Sequence, residues 1–432
     1  MSATEGSVES HDAVAPDVTA AVASNEFVAD SLGEYFAAQW KRIKSGESGT
    51  LPVIIGLAII VIIFQTKNSH FLTTGNLTNL IEQAGIFVLL GMAEVFVLLL
   101  GEIDLSTGFV GAVGVTIVAE LNAPPHDVNW FLAVLAGLGA CAVIGLIQGL
   151  LITRLGLPSF VVTLAGLLGW QGMLLYLIQK DKQATGGSIV INSSVLNDIV
   201  NGSLSNTAGW IVMIAGVAAF AALSFFQHQR RKQSGLVTPP ISLTILKVAG
   251  VAAAGIVLVL VCNANRGSAL LHLSGVPWIV PVLAVVLVLY SVLLGRMRFG
   301  RYLYAIGGNA EAARRAGIRT NRVRLLAFVL CSFTAGLAVI VYFSQLGSMS
   351  SDFDGGNLVL YGVAAAVIGG TSLFGGRGKM SFAVLGGIVI ATIYNGMALI
   401  NIGAAGQEMV IALVLIAAVI VDAIAHRGTS RR

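Results

Sequence analysis

The stretch ISLTILKVAGVAAAGIVLVLVC, residues 241–262, runs for 22 residues with Lys247 as its one charged side chain. A helix needs about 20 predominantly apolar residues to cross a bilayer, and within lipid a helix satisfies its own backbone N–H and C=O groups. The stretch therefore reads as a transmembrane helix. Working outward from it, segments of the same kind lie near 50–66, 77–101, 105–121, 130–153, 158–178, 208–226, 277–294, 325–346, 358–374, 380–401 and 406–425. The expected fold is all-α, a polytopic membrane protein of about twelve spans.

Composition agrees. Hydrophobic residues make up 56% of the 432 and charged residues 11%, against about 25% charged in ordinary globular chains; mean hydropathy is +0.87. A soluble fold of this length has too little core for so much apolar side chain.

Lys and Arg gather in cytoplasmic loops, which fixes an orientation. Lys41, Arg42 and Lys44 precede the first span, so the N-terminus is expected inside. Counting forward, the other inside loops hold Arg154, then QHQRRKQ at 227–233, then eight arginines between Arg296 and Arg324, then Arg377 and Lys379, then the tail HRGTSRR. Expected outside loops are poor in positive charge: NAPPHDVNW has none and SMSSDFDGGN is acidic, with Lys67, Lys180, Lys182 and Arg266 as exceptions. Both termini are thus expected in the cytoplasm.

Residues 1–34 carry seven acidic residues and no Lys or Arg, unlike the positive start of a secretory signal. They read as a disordered tail. Val28, Leu32, Tyr35, Phe36, Trp40 and Ile43 follow at helical spacing, as an interfacial helix or a solvated linker would place them. Cys141, Cys262 and Cys331 fall in apolar segments without metal-ligand spacing and read as reduced core residues.

The chain has 51 glycines, including Gly145 and Gly149, and Gly387 two turns before Asn395 and Gly396. Small residues at such spacing let helices pack closely in lipid. Polar groups among the spans need a reason, because a central carboxylate costs about 2.5–3.5 kcal/mol on insertion scales. In VLLLGEIDLSTGFVG, Asp104 reads either as the N-cap of a helix starting at Leu105 or as a break beside a solute pathway. Glu94 lies deeper, and Asn395 and Gln407 either face a pathway or bond between helices. With Ser106 and Thr163, these four are the candidate pathway residues. No voltage-sensor Arg series, selectivity filter or His/acid proton relay is present, and HExxH and GxSxG are missing.

The run AIGGNAEAARRAGI, residues 305–318, stands apart from the greasy segments on either side. Asn309 is a good N-cap, residues 310–316 are strong helix formers, and Gly317 supplies a left-handed stop. The product is a helix about 10 Å long at 1.5 Å per residue, too short to be stable alone. Ala312, Ala313 and Ala316 form a stripe suited to docking in a groove, with Glu311, Arg314 and Arg315 orienting the contact. An ordinary basic loop that happens to be helical is the competing reading.

RFGRYLYAIGGNAEAARRAGIRTNRVR resembles the cytoplasmic coupling loop of ribose/xylose-type ABC transporter permeases. GEIDLSTGFVGAVG, GLLITRLGLPSFVVTLAGLLGWQGM and GVAAAVIGGTSLFGGRGKMSFAVLGGIVIATIYNGMALI resemble further family segments in the right order, over roughly 70–178 and 277–425. The resemblance implies a bacterial inner-membrane permease that pairs with a second copy. Two cytoplasmic ATP-binding subunits, carrying ATP and Mg, would dock on coupling helices, and an extracytoplasmic binding protein would deliver the sugar. The coupling contacts it implies are Gly308, Asn309, Glu311, Ala312, Ala313, Arg314 and Gly317. No cofactor, metal or nucleic acid is expected on this chain, and membrane lipid surrounds it. GGTSLFGGRGKM is no phosphate loop, because Leu373 stands where the first Gly belongs and Met380 follows Lys379. The chain is accordingly expected not to be an enzyme.

Residues 179–276, with two of the spans, interrupt the resemblance as an insert on a ten-span core. The longer, xylose-type branch is where such an insert is expected, which makes a pentose the expected substrate. Ribose, galactose or another small sugar derivative in the same family, and ion-coupled secondary transport, are the alternatives. The expected organisation is a tail and interfacial helix over 1–45, an N-terminal membrane core over 46–178, the insert, a C-terminal core over 277–425 with the coupling loop at 296–324, and a basic tail over 426–432.

Overall fold

The computed structural model describes residues 51–429, apart from 182–183, 185, 236–237, 239 and 268–271. The acidic tail and interfacial helix expected within 1–45 lie outside the described residues, as do residues 430–432 of the basic tail. Helices follow one another as α1 (Leu51–Lys67), α2 (Thr74–Leu98), α3 (Thr107–Asn122), α4 (Trp130–Arg154) and α5 (Ser159–Lys180). A strand β1 (Ser188–Val190) and helix α6 (Ser194–Asn201) lead to α7 (Asn206–Gln233), α8 (Ile241–Asn263) and α9 (Ile279–Arg296). Then come α10 (Arg298–Gly308), α11 (Ala310–Arg315), α12 (Thr320–Leu346), β2 (Ser348–Ser350), α13 (Gly355–Gly369), α14 (Met380–Leu399) and α15 (Ala404–Thr429).

Among the described residues, eight helices are long and apolar enough to cross a membrane, and four shorter apolar helices accompany them. Together they coincide one for one with the expected spans. Boundaries differ for physical reasons. The segment expected over 358–374 is helical over Gly355–Gly369, because Gly370 turns left-handed at φ 114° and ends it. The basic run QHQRRKQ is not a loop: it forms the last turns of α7, since Arg, Lys and Gln are strong helix formers once the chain leaves the apolar layer.

The core gathers around α2, whose residues from Ala84 to Leu98 are all buried. It packs on α12, α13 and α14, and glycines set the distance. A Cβ on Gly387 would stand 2.7 Å from the backbone N of Val88, and one on Gly145 would stand 2.6 Å from the carbonyl of Phe328. Such approaches give packing contact where lipid offers no hydrophobic drive.

The insert has two parts. The α7–α8 hairpin packs on itself and touches α2 through α8, leaving Ile211, Ile214, Val257 and Leu260 exposed. The preceding segment caps α12 instead: β1 pairs antiparallel with β2, Ile189 opposite Met349. Val200 N donates to Ser344 Oγ at 3.0 Å, and Asn201 Nδ2 donates to Ser344 O at 2.7 Å.

Candidate functional site

At the end of the bundle capped by the insert, a cavity of about 600 Å³ opens between α2, α12, α13, α14 and α15. Helical periodicity aims one face of each element into it. Asn79, Glu82, Gln83, Ile86 and Phe87 of α2 follow i, i+3, i+4, i+7 and i+8; Tyr342, Gln345 and Leu346 of α12 follow i, i+3 and i+4. Asp354, Asn357, Leu358 and Tyr361 continue the wall, with Tyr394, Gln407 and Glu408 opposite and Asn201 of the insert at the rim.

The wall is ordered by its own contacts. Asp354 caps α13, its Oδ1 accepting from Asn357 N at 3.0 Å, while Asn357 Nδ2 reaches Glu408 Oε1 at 3.1 Å. Phe87 meets Tyr361 and Tyr394 edge to face, centroids 5.6 and 5.9 Å apart. The lining thus offers amides, carboxylates, phenols and aromatic faces, with no Lys or Arg among the described lining residues. That suits a neutral polyol, whose hydroxyls need donors and acceptors and whose C–H faces stack on rings. A phosphorylated sugar or a free carboxylate meets no Lys or Arg among the described lining residues.

Of the candidate pathway residues, Gln407 lines this cavity. Asn395 lies buried next to Tyr394, its Oδ1 accepting from Asn76 Nδ2 at 2.9 Å. The other four sit elsewhere. Glu94, Asp104, Ser106 and Thr163 are fully buried around the turn between α2 and α3. Asp104 Oδ1 accepts from Ser106 N at 2.9 Å and from Ser106 Oγ at 2.6 Å, and Gln148 Nε2 donates to Ser106 Oγ at 2.8 Å. Thr107 Oγ1 donates to Glu94 Oε1 at 3.0 Å, and Thr163 Oγ1 approaches Ile103 O at 3.4 Å. Asp104 therefore does not cap a helix starting at Leu105. The helix starts at Thr107 with Ser106 in the cap position, and Asp104 closes the turn before it.

The expected coupling segment, residues 305–318, packs against the same end of α2 as that turn. Asn309 caps α11, Oδ1 accepting from Ala312 N at 2.9 Å. Gly317, at φ 83°, closes the helix with Ile318 N donating to Ala313 O at 3.1 Å. Glu311 pairs within the helix, 2.8 Å from Arg314 and 3.1 Å from Arg315. Gly308, Asn309, Glu311, Ala312, Arg314 and Gly317 are exposed, but Ala313 is buried at 5%. The alanines therefore do not share one docking stripe: Ala312 and Ala316 face out, and Ala313 packs inward.

Beneath the segment, Tyr304 OH donates to Gly378 O at 2.7 Å, and Gly376 N donates to Leu99 O at 2.9 Å. Burial pushes the Tyr304 hydroxyl up. Arg324, at the start of α12, donates through Nε to Glu102 Oε1 at 2.6 Å. Burial pushes the Glu102 carboxyl up, and the guanidinium beside it opposes that shift. Sequence reading missed this ion pair and most of the cavity wall. The available signals were polar residues at helical spacing in NLIEQAG and tyrosines on three apolar helices. Among the described residues, no three His, Cys, Asp or Glu side chains gather as a metal cluster requires.

Comparison with known proteins follows the same lines. A family model described as branched-chain amino acid transport system / permease component matches residues 76–419. The xylose transport system permease protein XylH of Haemophilus influenzae is 31% identical over 387 residues, 88% of this chain and 98% of that protein. The D-allose transport system permease protein AlsC of Escherichia coli K12 is 30% identical over 370 residues, 85% and 89% of the two chains. The ribose import permease protein RbsC of the same strain is 26% identical over 373 residues, 85% and 92%. No solved structure matches the chain.

Proposed function

We propose, from the premise that this chain belongs to the ribose/xylose-type family of ABC transporter permeases, that it imports a pentose such as D-xylose. The chain is a multi-pass inner-membrane protein, the permease subunit of a sugar ABC importer and not an enzyme in itself. The observation that carries the sugar reading is the cavity wall of amides, carboxylates and tyrosines, with no Lys or Arg among its described residues. An amino acid carboxylate, which the wider family description would allow, has no cationic partner among those lining residues.

In this reading an extracytoplasmic binding protein delivers the sugar to the cavity, and cytoplasmic ATP-binding subunits dock on α10 and α11. The coupling contacts are Gly308, Asn309, Glu311, Ala312, Arg314 and Gly317, with Ala313 supporting the helix from within. Mechanical continuity supports the scheme. The coupling segment packs on the end of α2 at Leu99 and on α12, and its Tyr304 bonds the lead-in to α14 at Gly378. The far parts of the same three helices line the cavity through Glu82, Tyr342 and Tyr394. At 1.5 Å per residue, the 25 residues of α2 span about 37 Å. Displacing the coupling segment therefore moves the cavity wall as a rigid lever, which is what alternating access requires.

Reconstitution in liposomes with ATP-binding subunits and the binding protein tests the proposal, with ATP hydrolysis measured against xylose, ribose, allose and leucine. Stimulation by xylose above the others is the expected result. Stimulation by leucine alone, or transport by this chain without ATP and abolished by an uncoupler, would sink it.

A further inference from the structure

A second groove, of about 320 Å³, runs between α1 and α15. Its walls are aliphatic or absent: Ile60, Ala417 and Ala418 line it beside Gly56, and a Cβ on Gly56 would meet nothing within 4 Å. The polar residues of its lining, Ser372, Arg377 and Asp422, lie together at the end of the bundle that carries α10 and α11. Ser372 bonds to both, to the backbone of Arg377 and to the side chain of Asp422. Its N–H donates to Arg377 O at 2.8 Å, and its Oγ donates to Asp422 Oδ2 at 3.1 Å. Leu373 N donates to the same carboxylate oxygen at 3.0 Å, so Oδ1 takes part in neither bond. The Arg377 side chain is exposed and enters no ion pair among the described residues.

An apolar trough with one cation and one anion at its mouth fits an amphiphile whose head carries both charges. Basic side chains between membrane helices commonly take lipid phosphates. An aliphatic trough takes an acyl chain by burying its CH₂ groups away from water. We propose that this groove is a binding site for a phosphatidylethanolamine-type phospholipid. One acyl chain lies along Gly56 and Ala417, the phosphate rests on Arg377, and the ammonium donates to Asp422 Oδ1. The lipid would then abut the 370–379 loop, which supports the coupling segment through Tyr304 and Gly378.

The test is native mass spectrometry of the purified full chain in mixed micelles with phosphatidylethanolamine, phosphatidylcholine or phosphatidylglycerol of matched chains. Wild type is expected to retain the ethanolamine lipid at least fivefold over the other two. Arg377→Gln and Asp422→Asn should each lower that retention at least threefold. Gly56→Leu, which fills open space in the trough, should remove it; should Asp422→Asn fail to fold, this variant decides. Equal retention of the three lipids, or unchanged retention by Gly56→Leu, overturns the proposal. So does disulfide cross-linking between two copies of Gly56→Cys, which would mean that a second chain fills the groove.

Discussion

Arg324 Nε lies 2.6 Å from Glu102 Oε1, joining residues 222 positions apart. The bond ties Arg324, in the second turn of α12 and at the end of the expected coupling loop, to the turn that carries Asp104 and Ser106. Burial costs the Glu102 carboxylate more than the guanidinium returns, so its folded pKa stands above the ordinary value. Such a group loses stability as pH rises through that raised pKa and regains it on acidification. Arg324→Gln, which leaves the carboxylate without its cation, should therefore destabilise more than Glu102→Gln, by about 1–2 kcal/mol. The deficit of Arg324→Gln should shrink as pH falls and Glu102 takes a proton. Thermal melts of both variants across pH 5–8 check this, and a pH-independent gap would refute it.

The ring pair Tyr361 and Tyr394, centroids 6.5 Å apart, makes a stacking surface in the cavity. Tyr361→Ala and Tyr394→Ala should each lower sugar-stimulated ATP hydrolysis at least tenfold, about 1.4 kcal/mol, while the phenylalanine variants keep most of it. Equal activity of the alanine and wild-type proteins in the reconstituted assay would remove the cavity from the pathway.

Ala312 and Ala313 answer different questions. Ala312→Asp places a charge on an exposed surface and should abolish co-purification of the ATP-binding subunits with the melting temperature unchanged. Ala313→Asp buries a carboxylate and should lower the melting temperature as well. If Ala312→Asp still recruits those subunits, the exposed face of α11 is not the docking surface.

Gly387 packs against the Val88 backbone, which cannot yield as a side chain could. Gly387→Leu should cost about 3 kcal/mol through overpacking, whereas Gly56→Leu should leave stability within about 0.5 kcal/mol. A detergent thermal-shift comparison distinguishes them, and equal melting would contradict the close α2–α14 contact.

The spans were legible because bilayer thickness sets a length that apolar runs must meet, and the short cap of Asn309 was legible because it is local. The start of α3 was not, because Leu105 continues an apolar pattern while the turn is fixed by Asp104 bonding Ser106. Nor was the inward turn of Ala313: six residues carry no period of their own, so α10 and α12 decide the buried side. The three-residue strands β1 and β2 are likewise too short to show alternation. The cavity draws on elements from Asn79 to Glu408, and a polar residue on an apolar helix does not announce which neighbour it faces.

The enclosure of α2 also bears on how the bundle opens. With residues Ala84 to Leu98 buried on all sides, its amides have no route to solvent through local fraying. Their hydrogen exchange requires separation of α12, α13 and α14 together, so they belong to the slowest-exchanging unit of the chain. The exposed α7–α8 hairpin, attached chiefly to itself, can part from the bundle without disturbing that unit. Deuterium labelling in micelles should accordingly divide the molecule into a slow centre that transmits force and a faster flank that does not.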